Sequence, residues 1–233
     1  MIPYWNELIV NDTLNTYWKE RALWRSFKDV KCAVLTVGGW FDKEDQYGAL
    51  KLYAEGEKQN PGTPNFLVMG PWSHGGWASP GGGASLGDLN FVQKNSQWYQ
   101  ENVEWPFFEK YLRGDDKVPA PAEATIFETG ANQWHKFAQW PPKGLKSESI
   151  FLDVEGKLSK TAPSAAGKTE YTYDPLKPTP YLADYQNSRR APGDWLARDQ
   201  KFLEGRPDTA IFRLPALTED YRVAGPIKAD FWI

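Results

Sequence analysis

The sequence has one cysteine and two histidines in 233 residues, and no long apolar run. A single Cys32 excludes an internal disulfide, and its place inside an apolar stretch predicts a small buried side chain. No segment approaches the roughly 20 apolar residues that cross a bilayer, so no membrane partner is expected. The first residues lack the basic and apolar regions of a signal peptide, so none is expected within these residues.

An excess of positive charge is also missing. The net charge of −3 and the pI near 5.5 provide no basic surface for a phosphate backbone, which argues against nucleic acid as a partner. Aromatic side chains are abundant instead: 12 Trp, 11 Tyr and 12 Phe make up 15% of the chain. Such side chains often line pockets or fill β-sandwich cores. The length predicts two domains.

The first half of the chain alternates between helical and strand patterns. Apolar runs at residues 32–37 and 66–69 predict fully buried strands of a parallel sheet. Helical periodicity follows each of them, and another helical pattern precedes the first. The predicted helices cover residues 13–27, 46–59 and 91–112. This order predicts βαβ units and therefore an α/β fold.

The pattern changes near Lys117, where we place a domain boundary. Residues 1–117 are expected to be the carboxyl-terminal part of an α/β sheet, and residues 118–233 an antiparallel β-sandwich. Because the last β-rich run ends with the chain, the sandwich is expected to be incomplete. The predicted sandwich strands are residues 124–129, 149–153, 210–214 and 227–233.

Two side chains follow the predicted buried strands, where the reactive groups of open α/β sheets gather. Asp42 comes after the first strand and His74 after the second, 32 residues later (74 minus 42). In α/β-hydrolases the catalytic acid and histidine lie on such loops in this order. The imidazole accepts the proton of a serine, and a buried carboxylate fixes its tautomer. The alternative is a loop-capping aspartate and a histidine with a structural hydrogen bond.

A G-x-S-x-G pattern surrounds Ser85, but we reject this serine as the nucleophile. A nucleophile elbow needs a buried strand before the serine, a helix directly after it, and a position ahead of the acid. The nucleophile is therefore expected outside this chain. His135, between two bulky neighbours, is predicted to be a surface side chain. No residue grouping has metal-ligand spacing and no phosphate-binding loop follows a strand, so neither a metal nor another cofactor is expected.

Two loops resemble those of a known hydrolase family. Residues 38–49 read Gly-Gly-Trp-Phe-Asp-Lys-Glu-Asp-Gln-Tyr-Gly-Ala, and residues 69–75 read Met-Gly-Pro-Trp-Ser-His-Gly. They resemble the acid and histidine loops of the family that includes cocaine esterase, X-Pro dipeptidyl peptidases, α-amino acid ester hydrolases and glutaryl cephalosporanic acid acylases. The similarity continues over most of the chain, at residues 106–112, 130–134, 140–141, 173–175 and 217–220.

The resemblance implies roles for four residues. Asp42 matches the triad acid and His74 the triad base of an α/β-hydrolase sheet, which a jelly-roll β-sandwich follows. In the α-amino acid ester hydrolases, carboxylates at the positions of Glu44 and Asp45 hold the α-ammonium group of the substrate, as charge-assisted hydrogen bonding favours. The alternative is that both are acidic residues favoured by the dipole of the following helix. The resemblance also implies a periplasmic or secreted protein.

The resemblance implies a serine hydrolase that cleaves small esters or amides through an acyl-enzyme, with α-amino acid esters and β-lactam side chains as substrates. Alternatives within the class are the specificities of an X-Pro dipeptidyl peptidase or a cocaine esterase. A different alternative is a non-catalytic remnant whose sandwich serves as a binding module. An incomplete sheet exposes an edge that proteins normally cover. We therefore expect an upstream segment of the same protein, or another copy, as partner.

Overall fold

The structure is a computed structural model that describes residues 2–79, 81–183 and 194–231. The chain divides into two compact units, Met1–Trp140 and Pro141–Ile233. This division falls later in the chain than the boundary predicted at Lys117, because strands between the two positions join the sheet of the first unit. Within the described ranges, no helix combines the length and apolar character needed to span a bilayer.

The first unit alternates helices and strands. The helices are α1 (Pro3–Val10), α2 (Thr16–Arg21), α3 (Gln46–Gln59), α4 (Asn95–Tyr99) and α5 (Trp105–Tyr111). The strands are β1 (Val34–Gly39), β2 (Asn65–Gly70), β3 (Ser85–Leu86), β4 (Leu89–Asn90), β5 (Ala124–Glu128) and β6 (Gln133–Phe137). Two 3-10 turns, Leu23–Ser26 and Gly76–Ala78, and one π-helical turn, Gln100–Glu104, complete the unit.

A four-stranded sheet with the order β1-β2-β5-β6 forms the centre of this unit. β1, β2 and β5 run parallel, and β6 returns antiparallel to β5. All six residues of β2 are buried, as expected of a central strand covered on both faces. The register pairs Val34 with Asn65 and Gly39 with Gly70, so β1 and β2 end at the same level.

Helices cover both faces of the sheet. Leu67 and Met69 of β2 pack with Tyr53 of α3 on one face. Val68, which points to the opposite face because side chains alternate along a strand, packs with Tyr99 and the π-helical turn. Each face buries its own hydrophobic cluster, and together they fix β2 between two layers of helix.

The predicted helices differ in how well they match the structure. α3 spans the predicted residues 46–59. Residues 13–27 form α2 and a 3-10 turn instead of one helix, because Ala22 adopts an extended conformation between them. Within residues 91–112, helix begins at Asn95 and contains the π-helical turn directly ahead of α5. Pro106 accounts for this turn, since proline lacks the N–H of a regular α-helix and crowds the preceding turn.

Two predictions for the first unit are wrong. The pattern of residues 124–129 predicts a strand of the sandwich, but β5 pairs in parallel with β2 and is buried at four of its five positions. The local β pattern cannot show which strand is the neighbour. Cys32 is exposed, because β1 begins two residues later than predicted and leaves Cys32 in the preceding turn.

The second unit holds less regular structure in its described residues. Strands β7 (Phe151–Leu152) and β8 (Leu158–Ser159) pair antiparallel, and an isolated bridge joins Lys157 to Arg213. β7 lies within the predicted strand 149–153, whereas residues 210–214 provide only that bridge. Residues 227–231 form no strand, and the last two residues of that predicted strand lie outside the described ranges. A strand needs a paired neighbour to satisfy its backbone, which local sequence does not supply.

Candidate active site

The strand register brings the loops after β1 and β2 together. Gly39 and Gly70 are paired, so Asp42 and His74 lie three and four residues beyond the same sheet level. Two backbone hydrogen bonds join the loops: Trp40 N donates to Gly70 O at 2.9 Å, and Phe41 N donates to Trp72 O at 3.0 Å. The acid loop and the histidine loop therefore form one connected rim at the carboxyl ends of the strands.

The Asp42 carboxylate is buried and held through both oxygens. Its Oδ1 accepts hydrogen bonds from the backbone N–H of Glu44 at 2.8 Å and of Asp45 at 3.0 Å. Its Oδ2 lies 3.0 Å from Nδ1 of His74. The side chain is 1% exposed. Such a carboxylate has a fixed direction, because rotation would break the bonds to the backbone.

His74 meets this carboxylate with one defined ring nitrogen. An ionised carboxylate only accepts hydrogen bonds, so Nδ1 carries the proton and donates it to Asp42. The neutral ring then has its lone pair on Nε2. The His74 side chain is 53% exposed, so the ring can meet a reacting group from solvent. This is the tautomer that a general base next to a serine requires.

The contact between Asp42 and His74 shifts both pKa values. Burial by itself would raise the pKa of Asp42, but the hydrogen bonds from Asp45, Glu44 and His74 outweigh it and lower the pKa below its ordinary value. The hydrogen bond and the charge of Asp42 raise the pKa of His74, against an opposing effect of desolvation. The aspartate therefore stays ionised while the histidine titrates.

Glu44 and Asp45 lie at the same rim with exposed side chains. Asp45 Oδ2 is 3.4 Å from His74 Nδ1, and the Asp45 side chain is 67% exposed. Glu44 is 59% exposed, and its carboxylate lies 4.0 Å from Nζ of Lys43. The structure thus brings all four predicted site residues into one region. The substrate-binding role of Glu44 and Asp45 stays a prediction.

Asp42, Asp45 and His74 lie close enough for their ligand atoms to fall within 4.8 Å of one another. Both carboxylates face the same ring nitrogen, Nδ1, at distances of 3.0 and 3.4 Å. The 3.0 Å distance fits a ring N–H that donates to Asp42. A protonated Nδ1 has no lone pair to offer a metal ion, so the arrangement fits acid–base chemistry.

A buried polar pair that the sequence analysis missed anchors the loop following His74. Ser96 Oγ donates to Gly76 O at 3.0 Å, and Ser96 N donates to Gly82 O at 3.2 Å. Asn95 Nδ2 donates to Gly83 O at 2.7 Å. Both residues have no exposed surface. In the sequence both residues lie within the predicted helix 91–112, and nothing there shows that the pair binds the loop following His74.

Aromatic rings support the same loop from below. Trp72, two residues before His74, is 2% exposed and contacts Tyr99 and Trp134 with ring centroids 5.6 Å apart in each case. Trp134 stacks on Trp98 at 4.5 Å and donates its indole N–H to Asn95 Oδ1. The rings and the Asn95 hydrogen bonds therefore form one connected network of contacts next to the histidine loop.

Comparisons with known proteins identify the family of the chain. The family model of X-Pro dipeptidyl-peptidase (S15 family) matches residues 2–76, and that of the X-Pro dipeptidyl-peptidase C-terminal non-catalytic domain matches residues 118–233. The chain belongs to the S15 family. Asp42 and His74 both fall within the first match. A comparison with curated protein sequences gave no significant match.

Solved structures resemble both units of this S15 family chain. An aminopeptidase from a marine sediment archaeon, Thaumarchaeota archaeon, is 31% identical with a TM-score of 0.84. An α-amino acid ester hydrolase is 32% identical with a TM-score of 0.81. Each match covers 94% of this chain but only 36% and 37% of the respective solved chain. The chain therefore spans just over a third of the length of these structures.

Two other predictions concern the side chains of Ser85 and His135. Ser85 lies in β3, a two-residue strand that forms a hairpin with β4. It is therefore not on a strand-to-helix elbow. His135 lies on β6 with its side chain 31% exposed, and its Nε2 is 2.9 Å from Glu128 Oε2 on β5. This histidine pairs with a carboxylate of the neighbouring strand.

Proposed function

We propose that this chain supplies the acid and the base of a serine hydrolase that cleaves esters or amides through an acyl-enzyme. The observation that carries the proposal is the contact between Asp42 and His74. A buried carboxylate, held by two backbone N–H groups, accepts from Nδ1 and leaves Nε2 available. The serine comes from a part of the full-length protein outside these 233 residues.

This geometry supports a reaction in two steps. The serine oxygen attacks the substrate carbonyl carbon while His74 Nε2 takes the serine proton. The tetrahedral intermediate collapses, the bond to the alcohol or amine breaks, and His74 returns the proton to that leaving group. Water then attacks the acyl-enzyme, again with His74 as base. The bond between the acyl carbon and the serine oxygen breaks, the carboxylic acid leaves, and His74 returns the proton to the serine. Asp42 remains ionised throughout and stabilises the imidazolium.

We propose further that the acyl part of the substrate carries an α-amino group. Asp45 and Glu44 are exposed carboxylates beside the triad histidine, and carboxylates compensate an ammonium group that leaves bulk water. An α-amino nitrogen lies about 2.5 Å from the carbonyl carbon of its own residue. Carboxylates this close to His74 therefore suit an α-amino acyl group.

The family models support a second specificity, that of an X-Pro dipeptidyl peptidase. Its substrates also carry an ammonium group, but one residue further from the cleaved bond, which adds roughly 3.5 Å. The proximity of Asp45 to His74 favours the shorter spacing. We also propose that the second unit forms a jelly-roll β-sandwich in the full-length protein.

The test uses the full-length protein and three substrates. A phenylglycine ester, its des-amino analogue and an X-Pro dipeptide amide separate the α-amino, ammonium-independent and dipeptidyl specificities. We expect the highest kcat/KM for the phenylglycine ester. Glu44→Ala should lower kcat/KM more for this ester than for its des-amino analogue. Glu20→Ala, which removes an exposed carboxylate outside both loops, serves as control. Equal rates on both esters, before and after Glu44→Ala, would refute the ammonium-binding role.

A further inference from the structure

Asp45 occupies the N-cap position of α3 but does not cap the helix with its side chain. An aspartate at this position usually accepts a hydrogen bond from a backbone N–H of the first turn. Asp45 makes no such bond. Its Oδ2 instead lies 3.4 Å from Nδ1 of His74. The side chain therefore faces the imidazole instead of a backbone N–H in the first turn of α3.

Two carboxylates consequently share one ring nitrogen. Asp42 lies at 3.0 Å with a side chain 1% exposed, and Asp45 at 3.4 Å with a side chain 67% exposed. A single N–H donates one strong hydrogen bond, and the shorter and better oriented one goes to Asp42. Asp45 then acts mainly through its charge, which attracts the protonated form of the ring.

We propose that Asp45 is a positioning residue for His74. The charge of Asp45 stabilises the protonated imidazole and so raises the pH above which His74 acts as a base. This inference rests on the proposed function, in which His74 is the general base. It gives Asp45 a role in the free enzyme, before any substrate ammonium group is present.

The other charged groups that face His74 are few in the described residues. Asp42 dominates the raised pKa of His74, through its hydrogen bond and its charge, while desolvation opposes it. The charges of Glu44 and Asp45 raise the pKa further, and Lys43 lies beside Glu44. Asp42 cannot be varied without loss of the tautomer. Asp45 can be varied, because it is exposed and makes no capping bond.

Substrate binding would act on the same contact. An ammonium group that pairs with Asp45 cancels part of the attraction between Asp45 and the imidazolium. The neutral imidazole then becomes more populated at a given pH. Binding of a cationic substrate would thus favour the form of His74 that can take the serine proton.

The test is an NMR titration of His74 in the full-length protein, with its resonance assigned through His74→Gln. We expect Asp45→Asn to lower the pKa of His74 by roughly 0.3 to 0.8 unit, as for a partly screened charge at this distance. Asp45→Glu, which keeps the charge, should retain most of the wild-type value. Glu44→Gln should also lower the pKa of His74, because the charge of Glu44 raises it. A salt concentration of 1 M should reduce the difference between wild type and Asp45→Asn.

The matching kinetic experiment uses the des-amino ester. This substrate has no ammonium group, so its hydrolysis does not depend on binding such a group. The acidic limb of kcat/KM should move to lower pH in Asp45→Asn by the same amount as the titration. An unchanged titration of His74 would refute the inference. A higher KM for the phenylglycine ester with no change in titration would assign Asp45 to substrate binding alone, which also refutes it. Hydrolysis of neither ester by the wild type would instead refute the proposed function.

Discussion

The backbone of Gly39 approaches the carbonyl oxygen of Trp72 so closely that a Cβ atom at residue 39 would lie 2.1 Å from it. The same oxygen accepts the hydrogen bond from Phe41 N that joins the acid loop to the histidine loop. A side chain at residue 39 would therefore separate the two loops. The distance between Asp42 and His74 depends on glycine, which has no side chain, at position 39.

Gly39→Ala should disturb both stability and catalysis. The clash with a backbone atom should cost about 1 to 3 kcal/mol in the free energy of unfolding. A displacement of about 1 Å between acid and base should lower kcat by on the order of 100-fold in the full-length protein. Denaturant unfolding and ester hydrolysis measure the two effects.

Gly48→Ala is the matched control, because a Cβ at this position in α3 meets nothing within 4 Å. It should stabilise the helix by about 0.5 to 1 kcal/mol and leave kcat unchanged. Wild-type activity in Gly39→Ala would show that the contact with Trp72 does not hold the loops together.

Asp42→Asn should separate folding from catalysis. An asparagine Oδ1 can still accept the hydrogen bonds from Glu44 and Asp45, but its amide nitrogen cannot accept from His74 Nδ1–H. The fold should persist while kcat falls by about 10⁴-fold, because the histidine loses its tautomer. Asp42→Ala should lose both sets of contacts and unfold more easily. Similar activity in wild type and Asp42→Asn would contradict the role of Asp42 as triad acid.

The stability of the protein should fall in acid partly because of Asp42. Its pKa in the folded protein lies below its ordinary value, so its contribution is fully present above an unfolded pKa of about 3.9. That contribution is lost as the pH falls through the lower pKa of the folded state. In urea unfolding between pH 2 and 6, the free energy of unfolding should fall less toward acid pH in Asp42→Asn than in the wild type. Parallel curves for the two proteins would argue against the lowered pKa.

Asn95→Ala should loosen the loop that follows His74. The change leaves Gly83 O and the half-buried indole N–H of Trp134 without their partner, at a cost of about 2 kcal/mol or more. Asn102→Ala, which removes an exposed hydrogen bond to Trp98 O, should change stability by less than about 0.5 kcal/mol. Equal unfolding curves for the two variants would contradict the anchoring role. Ester hydrolysis by the full-length variants would show whether His74 is also displaced.

Ser85→Ala should leave kcat/KM within roughly two-fold of the wild type, since Ser85 lies in a hairpin and not on an elbow. Loss of a catalytic serine costs several orders of magnitude in rate. A loss of more than 1,000-fold in the full-length protein would identify Ser85 as the nucleophile and overturn our assignment.

The sequence by itself determined the parts of the fold that depend on neighbouring residues. The apolar runs located β1 and β2, and the helical period gave the bounds of α3. Loop positions after parallel strands identified Asp42 and His74 as residues that should meet, and they lie 3.0 Å apart. These signals are local, because backbone propensity and hydrophobic period act over a few residues.

Tertiary structure decided what depends on residues distant in sequence. β5 joined the first sheet because its pairing partner is β2, a choice that its own pattern does not encode. Asp45 faces His74 instead of capping α3, and Asn95 binds the carbonyl of Gly83. Side chains choose their partners by proximity in the folded chain, and that proximity exists only once the strands have set their register.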